Sequence, residues 1–148
     1  MKIGLISCCK VKQNKRCKAK DMYVSPWFKK GMEYLSYRCD KIYIMSARYG
    51  LLPTESIITP YNQTLLKMNK KERKLWSKNL LEDIKRECDI KNDTFIIVAR
   101  GKYTEYICQK LVHFENVFDN IPISSSHGNI SQMHWLNVWN NEFKKNKL

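Results

Sequence analysis

Thr94-Phe95-Ile96-Ile97-Val98-Ala99 is an unbroken apolar run with β-branched residues at its centre. It does not alternate, so a strand here must be covered on both faces, as strands inside parallel sheets are. Lys2-Ile3-Gly4-Leu5-Ile6-Ser7 and Lys41-Ile42-Tyr43-Ile44-Met45-Ser46 read the same way. Glu115 to Asp119 is a weaker fourth strand.

Helical patterns fall between these runs. Ser25-Pro26 is a start signal, and Phe28, Met32 and Leu35 keep helical spacing behind it. Asn69 followed by Glu72 resembles a capping box. Trp76, Leu80, Ile84 and Cys88 then form an i, i+4 stripe, which reads as a core face and not as a cofactor box. Tyr103 to Leu111 and Ile130 to Phe143 complete the helices, and the tail from Lys144 to Lys147 should fray. Alternation of strand and helix predicts an α/β fold: a three-layer, Rossmann-like sandwich around a mainly parallel sheet of four to five strands.

The 148 residues suit one domain spanning the chain. The amino end turns polar too early for a signal peptide, and no run is long enough to span a bilayer, so a cytoplasmic location without membrane contact is expected. The six cysteines include no CxxC pair, which leaves a metal site unsupported; no cofactor is expected either. Cys88 and Cys108 read as core thiols on apolar helix faces. The net charge of +13 points to phosphate or polyanion partners. A chain rich in lysine, asparagine and isoleucine also gains such charge simply as a solvated surface.

In open α/β sheets ligands bind beyond the carboxyl ends of the strands. Those ends here are Ser7-Cys8-Cys9-Lys10-Val11-Lys12, Ser46-Ala47-Arg48-Tyr49-Gly50-Leu51 and Ala99-Arg100-Gly101-Lys102-Tyr103. Each joins a small residue to a cation, and none contains a carboxylate. Small residues let a ligand approach the backbone, and cations with free N–H groups favour an anion. Cys8 is a candidate nucleophile, because a neighbouring cation favours thiolate; a buried thiol closing a strand is the plainer reading. The histidines are His113, His134 and His127, with His113 expected at a helix end. His127, in a loop before a helix, could reach a ligand or simply be solvated.

With those loops in view, the chain resembles the YaaA-like group of small bacterial and phage proteins. Ser46-Ala47-Arg48-Tyr49-Gly50-Leu51-Leu52, continuing through Pro60-Tyr61 and Leu65, is similar to that group's S-A-[KR]-[YH]-G-L-L pattern. Tyr23-Val24-Ser25-Pro26-Trp27-Phe28 resembles its Y-x-S-P-x-F, and Gly128-Asn129-Ile130-Ser131-Gln132-Met133-His134-Trp135-Leu136 its closing segment. Cys9, where the group carries Ser or Gly, is a departure. The resemblance implies an α/β fold, a positively charged cleft and a link to DNA or damaged-base handling.

The expectation is a protein that binds nucleic acid or a nucleotide, acting on a base or glycosidic bond if it is an enzyme. Ligand-binding candidates are Ser7, Lys10, Lys12, Ser46, Arg48, Tyr49, Gly50, Tyr61, Arg100, Gly101, Tyr103, Asn129 and Gln132. Catalytic candidates are Cys8, Glu55 and His127, with Glu55 and Asp21 the carboxylates nearest the strand ends in sequence. The rivals are a small-molecule nucleotide enzyme or sensor without a polymer partner, and a non-enzymatic interaction protein.

Overall fold

The structure, a computed structural model, describes residues 1–121 and 128–147. A five-stranded sheet carries the fold. Its parallel strands are β1 (Lys2–Ser7), β3 (Lys41–Ser46), β6 (Thr94–Val98) and β7 (His113–Asn116); β4 (Gly50–Pro53) runs antiparallel at one edge. The order is β4-β3-β1-β6-β7. Helices α2 (Pro26–Arg38) and α5 (Asn129–Lys147) pack on each other, with α2 against β1 and β6. Helix α3 (Lys70–Glu87) packs against β4 and the short α4 (Gly101–Thr104). The architecture is the expected three-layer α/β sandwich.

The apolar runs explain the centre of the sheet. Phe95, Ile96, Ile97 and Val98 are at most 1% exposed, so both faces of β6 are covered. Each such side chain contributes about 1.5–3 kcal/mol of burial. Both cap signals also operate. The Ser25 side chain accepts from the Phe28 N–H, and Asn69 and Glu72 exchange the two bonds of a capping box.

Close packing at α2 requires a glycine. A Cβ on Gly31 would lie 2.7 Å from Ile6 Cδ1 and 3.0 Å from Val98 Cγ1. Gly31→Val is therefore expected to destabilise by about 1–3 kcal/mol through overpacking, read as a lower denaturation midpoint in urea with an unchanged slope.

Several expectations need correction. Strand β7 begins at His113, which is exposed on it and not at a helix end, and Val117–Asn120 closes into a 3-10 turn. Tyr103 to Leu111 is not one helix: α4 is followed by a 3-10 turn at Cys108–Lys110. Tyr103, Ile107 and Leu111 are nevertheless all buried, so the apolar spacing reported burial and not conformation. Helix α5 continues through Lys144–Lys147 instead of fraying there. Cys88 and Cys108 are only half-buried, Cys88 as the C-cap of α3.

Strand β4 comes from a hairpin. Ser46 pairs with Gly50, and Gly50 has φ +71°, a left-handed conformation that returns the chain without strain. A two-residue strand pair, β2 (Cys17–Lys18) with β5 (Ile57–Ile58), ties down the long loop after β1. Between them the turn of helix α1 (Ala19–Met22) leads to a bridge from Tyr23 back to Lys12. No described helix is long and apolar enough to cross a membrane.

Candidate functional site

The chain leaves β1 toward β3 and leaves β6 toward β7, on opposite sides of the sheet. The crevice between the carboxyl ends of β1 and β6 is thus the topological switch point. A cavity of about 340 Å³ opens there. Cys8, Cys9, Lys10 and Lys12 line it from the end of β1, and Arg100 and Tyr103 from the end of β6. Its far wall is Asn62, Gln63, Thr64, Leu66 and Lys67, from the loop between β5 and α3.

Four cations and no carboxylate are among these described lining residues. The ion pairs of the described residues include none to Lys10, Lys12, Lys67 or Arg100. Arg100 N–H donates to Ser7 Oγ at 3.4 Å, and the guanidinium sits 5.3 Å from the Trp27 ring centroid. Arg100 Nε is buried with no hydrogen-bond partner among the described residues. Lys12 Nζ lies 4.5 Å from the centroid of Tyr61.

Behind the cavity stands a buried hydroxyl network. Ser46 Oγ donates to Tyr61 Oη at 2.8 Å, and the Tyr61 and Tyr23 hydroxyls share a hydrogen bond of 2.5 Å. Ser46 Oγ also accepts from the N–H groups of Arg48 and Tyr49 at 3.2 and 3.0 Å. Cys8 Sγ is 3.2 Å from Tyr103 Oη. Burial, reinforced by the repulsion a Cys8 thiolate would exert, pushes Tyr23, Tyr61 and Tyr103 well above the ordinary phenol range. The three phenols therefore stay neutral at physiological pH and offer the cations no counter-charge.

Of the expected residues, Cys8, Lys10, Lys12, Arg100 and Tyr103 face the cavity. Ser7 and Ser46 are fully buried behind it and act through the bonds just given. The loop after β3 stands outside the lining. Arg48 is exposed, with Nη1 3.5 Å from Gln63 Oε1, and Tyr49 packs edge-on against Tyr61 at 5.6 Å. Gly50 serves the hairpin; a Cβ there would press on Asp83 Oδ2 at 2.9 Å. Gly101 begins α4, with open space where a Cβ would sit.

Asn129 is the exposed first residue of α5, and Gln132 accepts from Trp27 Nε1 at 2.8 Å. Glu55 lies on another hollow, paired with Lys18 and Lys20 at 2.9 and 3.2 Å. Those bonds, Lys18 first, hold its carboxyl below the usual range. Asp21 is exposed on α1, and His127 lies outside the described residues. Asn62, Gln63, Thr64 and Lys67 were not anticipated. They follow β5, whose two residues are too few to give a readable strand pattern.

An unopposed positive field has a chemical signature. Iodoacetate is expected to gain on neutral iodoacetamide at Cys8, by about tenfold for 1.4 kcal/mol of attraction, relative to the same ratio at Cys17 and Cys39. Mass spectrometry of competitively alkylated protein reads both ratios. Equal ratios at all three thiols would mean that the cavity exerts no net field.

No curated protein and no solved structure matched the chain. One family model did, over residues 3–138. That span takes in β1 through most of α5, including every residue of the cavity. The chain therefore belongs to DUF6884, a family of unknown function.

Proposed function

We propose that the cavity binds a nucleotide through its phosphate. The carrying observation is that Lys10, Lys12, Lys67 and Arg100 surround one space lined by no described carboxylate. Four cations favour a multiply charged group, a terminal phosphate or a diphosphate, over a singly charged one. The volume lies near the lower end of the roughly 300–1,000 Å³ of small-molecule pockets. Leu66 and Tyr103 supply apolar surface for a base or sugar, and Asn62, Gln63 and Thr64 supply groups for its polar edge. Any bond-breaking at the bound nucleotide falls to Cys8, Cys9 and Tyr103, the two thiols and the phenol in the lining. The likeness to the YaaA-like group supports the same reading.

A second reading, in which the nucleotide belongs to a nucleic acid, rests on the flanking charge. Lys15, Arg16, Lys70 and Lys71 are exposed on the segments that supply Lys12 and Lys67. Lys70 and Lys71 occupy the first turn of α3, where the helix dipole disfavours cations.

Thermal unfolding with AMP, ADP, adenosine or a single-stranded oligonucleotide tests both. AMP and ADP are expected to raise the melting temperature, with roughly 2.7 kcal/mol of stabilisation at a hundred times Kd. Adenosine should give little. A steep loss of oligonucleotide binding with salt, beside a shallow loss for AMP, would favour the polymer. Absence of any stabilisation at low salt would remove the proposal.

A further inference from the structure

We propose that Trp27 and Gln132 are positioning residues that fix Arg100 as the oxyanion fork of the cavity, an inference that rests on the phosphate reading. Arginine is planar and presents its donors in a fork matched to phosphate, but its long stem must be ordered before the fork is useful. Three observations describe how it is ordered. The backbone is held by the bond from Arg100 N–H to Ser7 Oγ. The guanidinium rests 5.3 Å from the centroid of Trp27. Trp27 is 2% exposed, tilted against Phe118, and its indole N–H donates to Gln132 Oε1 at 2.8 Å. The ring is thereby fixed in its plane as well as packed.

The contrast with the other arginines is informative. Among the described residues, the part-buried Arg38 and Arg73 are neutralised by Glu115 and Glu105. The side chain of Arg100, also part-buried, has no ion pair among the described residues; it lies on an aromatic face and keeps a buried Nε with no hydrogen-bond partner among them. A guanidinium on an indole is attracted by the ring while its charge stays unneutralised. The arrangement restrains the cation without spending its charge, as an anion-binding group requires. It also ties the site to α5, whose first turn carries Gln132.

Calorimetric titration with AMP and the variants Trp27→Phe and Gln132→Ala tests this. Trp27→Phe keeps a ring and loses the N–H. Each variant is expected to weaken binding about three- to tenfold, the scale of a cation–π contact or a buried hydrogen bond. The two effects should not add, because Gln132 acts through the indole N–H. In an Arg100→Ala background neither should matter. A readout in the free protein accompanies this: Gln132→Ala should shift the Arg100 Nε–H resonance. If wild type binds AMP and both variants bind equally well, positioning is wrong and the nucleotide reading stands. If the Nε–H resonance does not move, positioning fails whether or not AMP binds. If wild type binds neither AMP nor inorganic phosphate, both readings fall.

Discussion

Arg100→Ala is expected to weaken AMP binding by about ten- to a hundredfold while leaving the melting temperature of the free protein unchanged or higher. The loss follows from the charge-assisted bonds removed, about 1.5–3 kcal/mol, at 1.4 kcal/mol per factor of ten. The stability half of the prediction has a separate origin. Arg100 Nε is buried with no partner among the described residues, so the free protein is expected to carry the desolvation cost of that group. Truncation removes that cost along with the proposed phosphate contact. A large drop in melting temperature for Arg100→Ala would recast the residue as structural.

Neighbouring cations give the comparison its resolution. Arg100→Lys keeps the charge and loses the fork, so it should fall between wild type and alanine. Arg48→Ala should change AMP affinity only a fewfold, because Arg48 is exposed and meets the cavity wall only through Gln63 at 3.5 Å. Equal losses at positions 48 and 100 would indicate a diffuse field instead of an anchored contact.

The sequence announced the part of the cavity lining that follows strands. Runs as unbroken as Thr94 to Ala99 or Lys2 to Ser7 have few alternatives to a covered parallel strand, and the switch-point rule then selects their ends. Cys8, Lys10, Lys12, Arg100 and Tyr103 were reachable in this way. The wall from Asn62 to Lys67 was not, because a loop after the two-residue β5 is placed by tertiary packing alone. The third strand end was equally legible, but the fold sets it beside the cavity and not in its lining. Ser46 to Tyr49 resembles a ligand loop in composition, yet Gly50 turns it into a hairpin and Ser46 spends its hydroxyl on Tyr61 and two backbone N–H groups. Composition cannot separate a loop that faces a ligand from one that braces the wall behind it. Sequence distance likewise does not place Glu55, which lies near a strand end along the chain but is held by two lysines at another hollow.

That wall is expected to make stability fall steeply above pH 10. Tyr23, Tyr61 and Tyr103 are 1%, 8% and 4% exposed, and burial raises all three phenols. In the unfolded chain they ionise near pH 10. Above that pH the unfolded state has released protons that the folded state still holds, so each phenol subtracts about 1.4 kcal/mol of stability per pH unit. Together they give about 4 kcal/mol per unit; below pH 10 the contribution is complete and flat. Against a net stability of about 5–15 kcal/mol, cooperative unfolding is expected within a few pH units above 10. Tyr61→Phe provides the internal control. At neutral pH it should cost about 1–3 kcal/mol, because Tyr23 loses its buried partner. Above pH 10 the deficit should shrink by about 1.4 kcal/mol per unit, since one titrating group is gone. Tyrosinate absorbance followed beside circular dichroism reads both effects. If every tyrosine ionises near pH 10 with secondary structure intact, the phenols are not shielded, and the neutral wall that leaves Lys10, Lys12, Lys67 and Arg100 unopposed is lost with them.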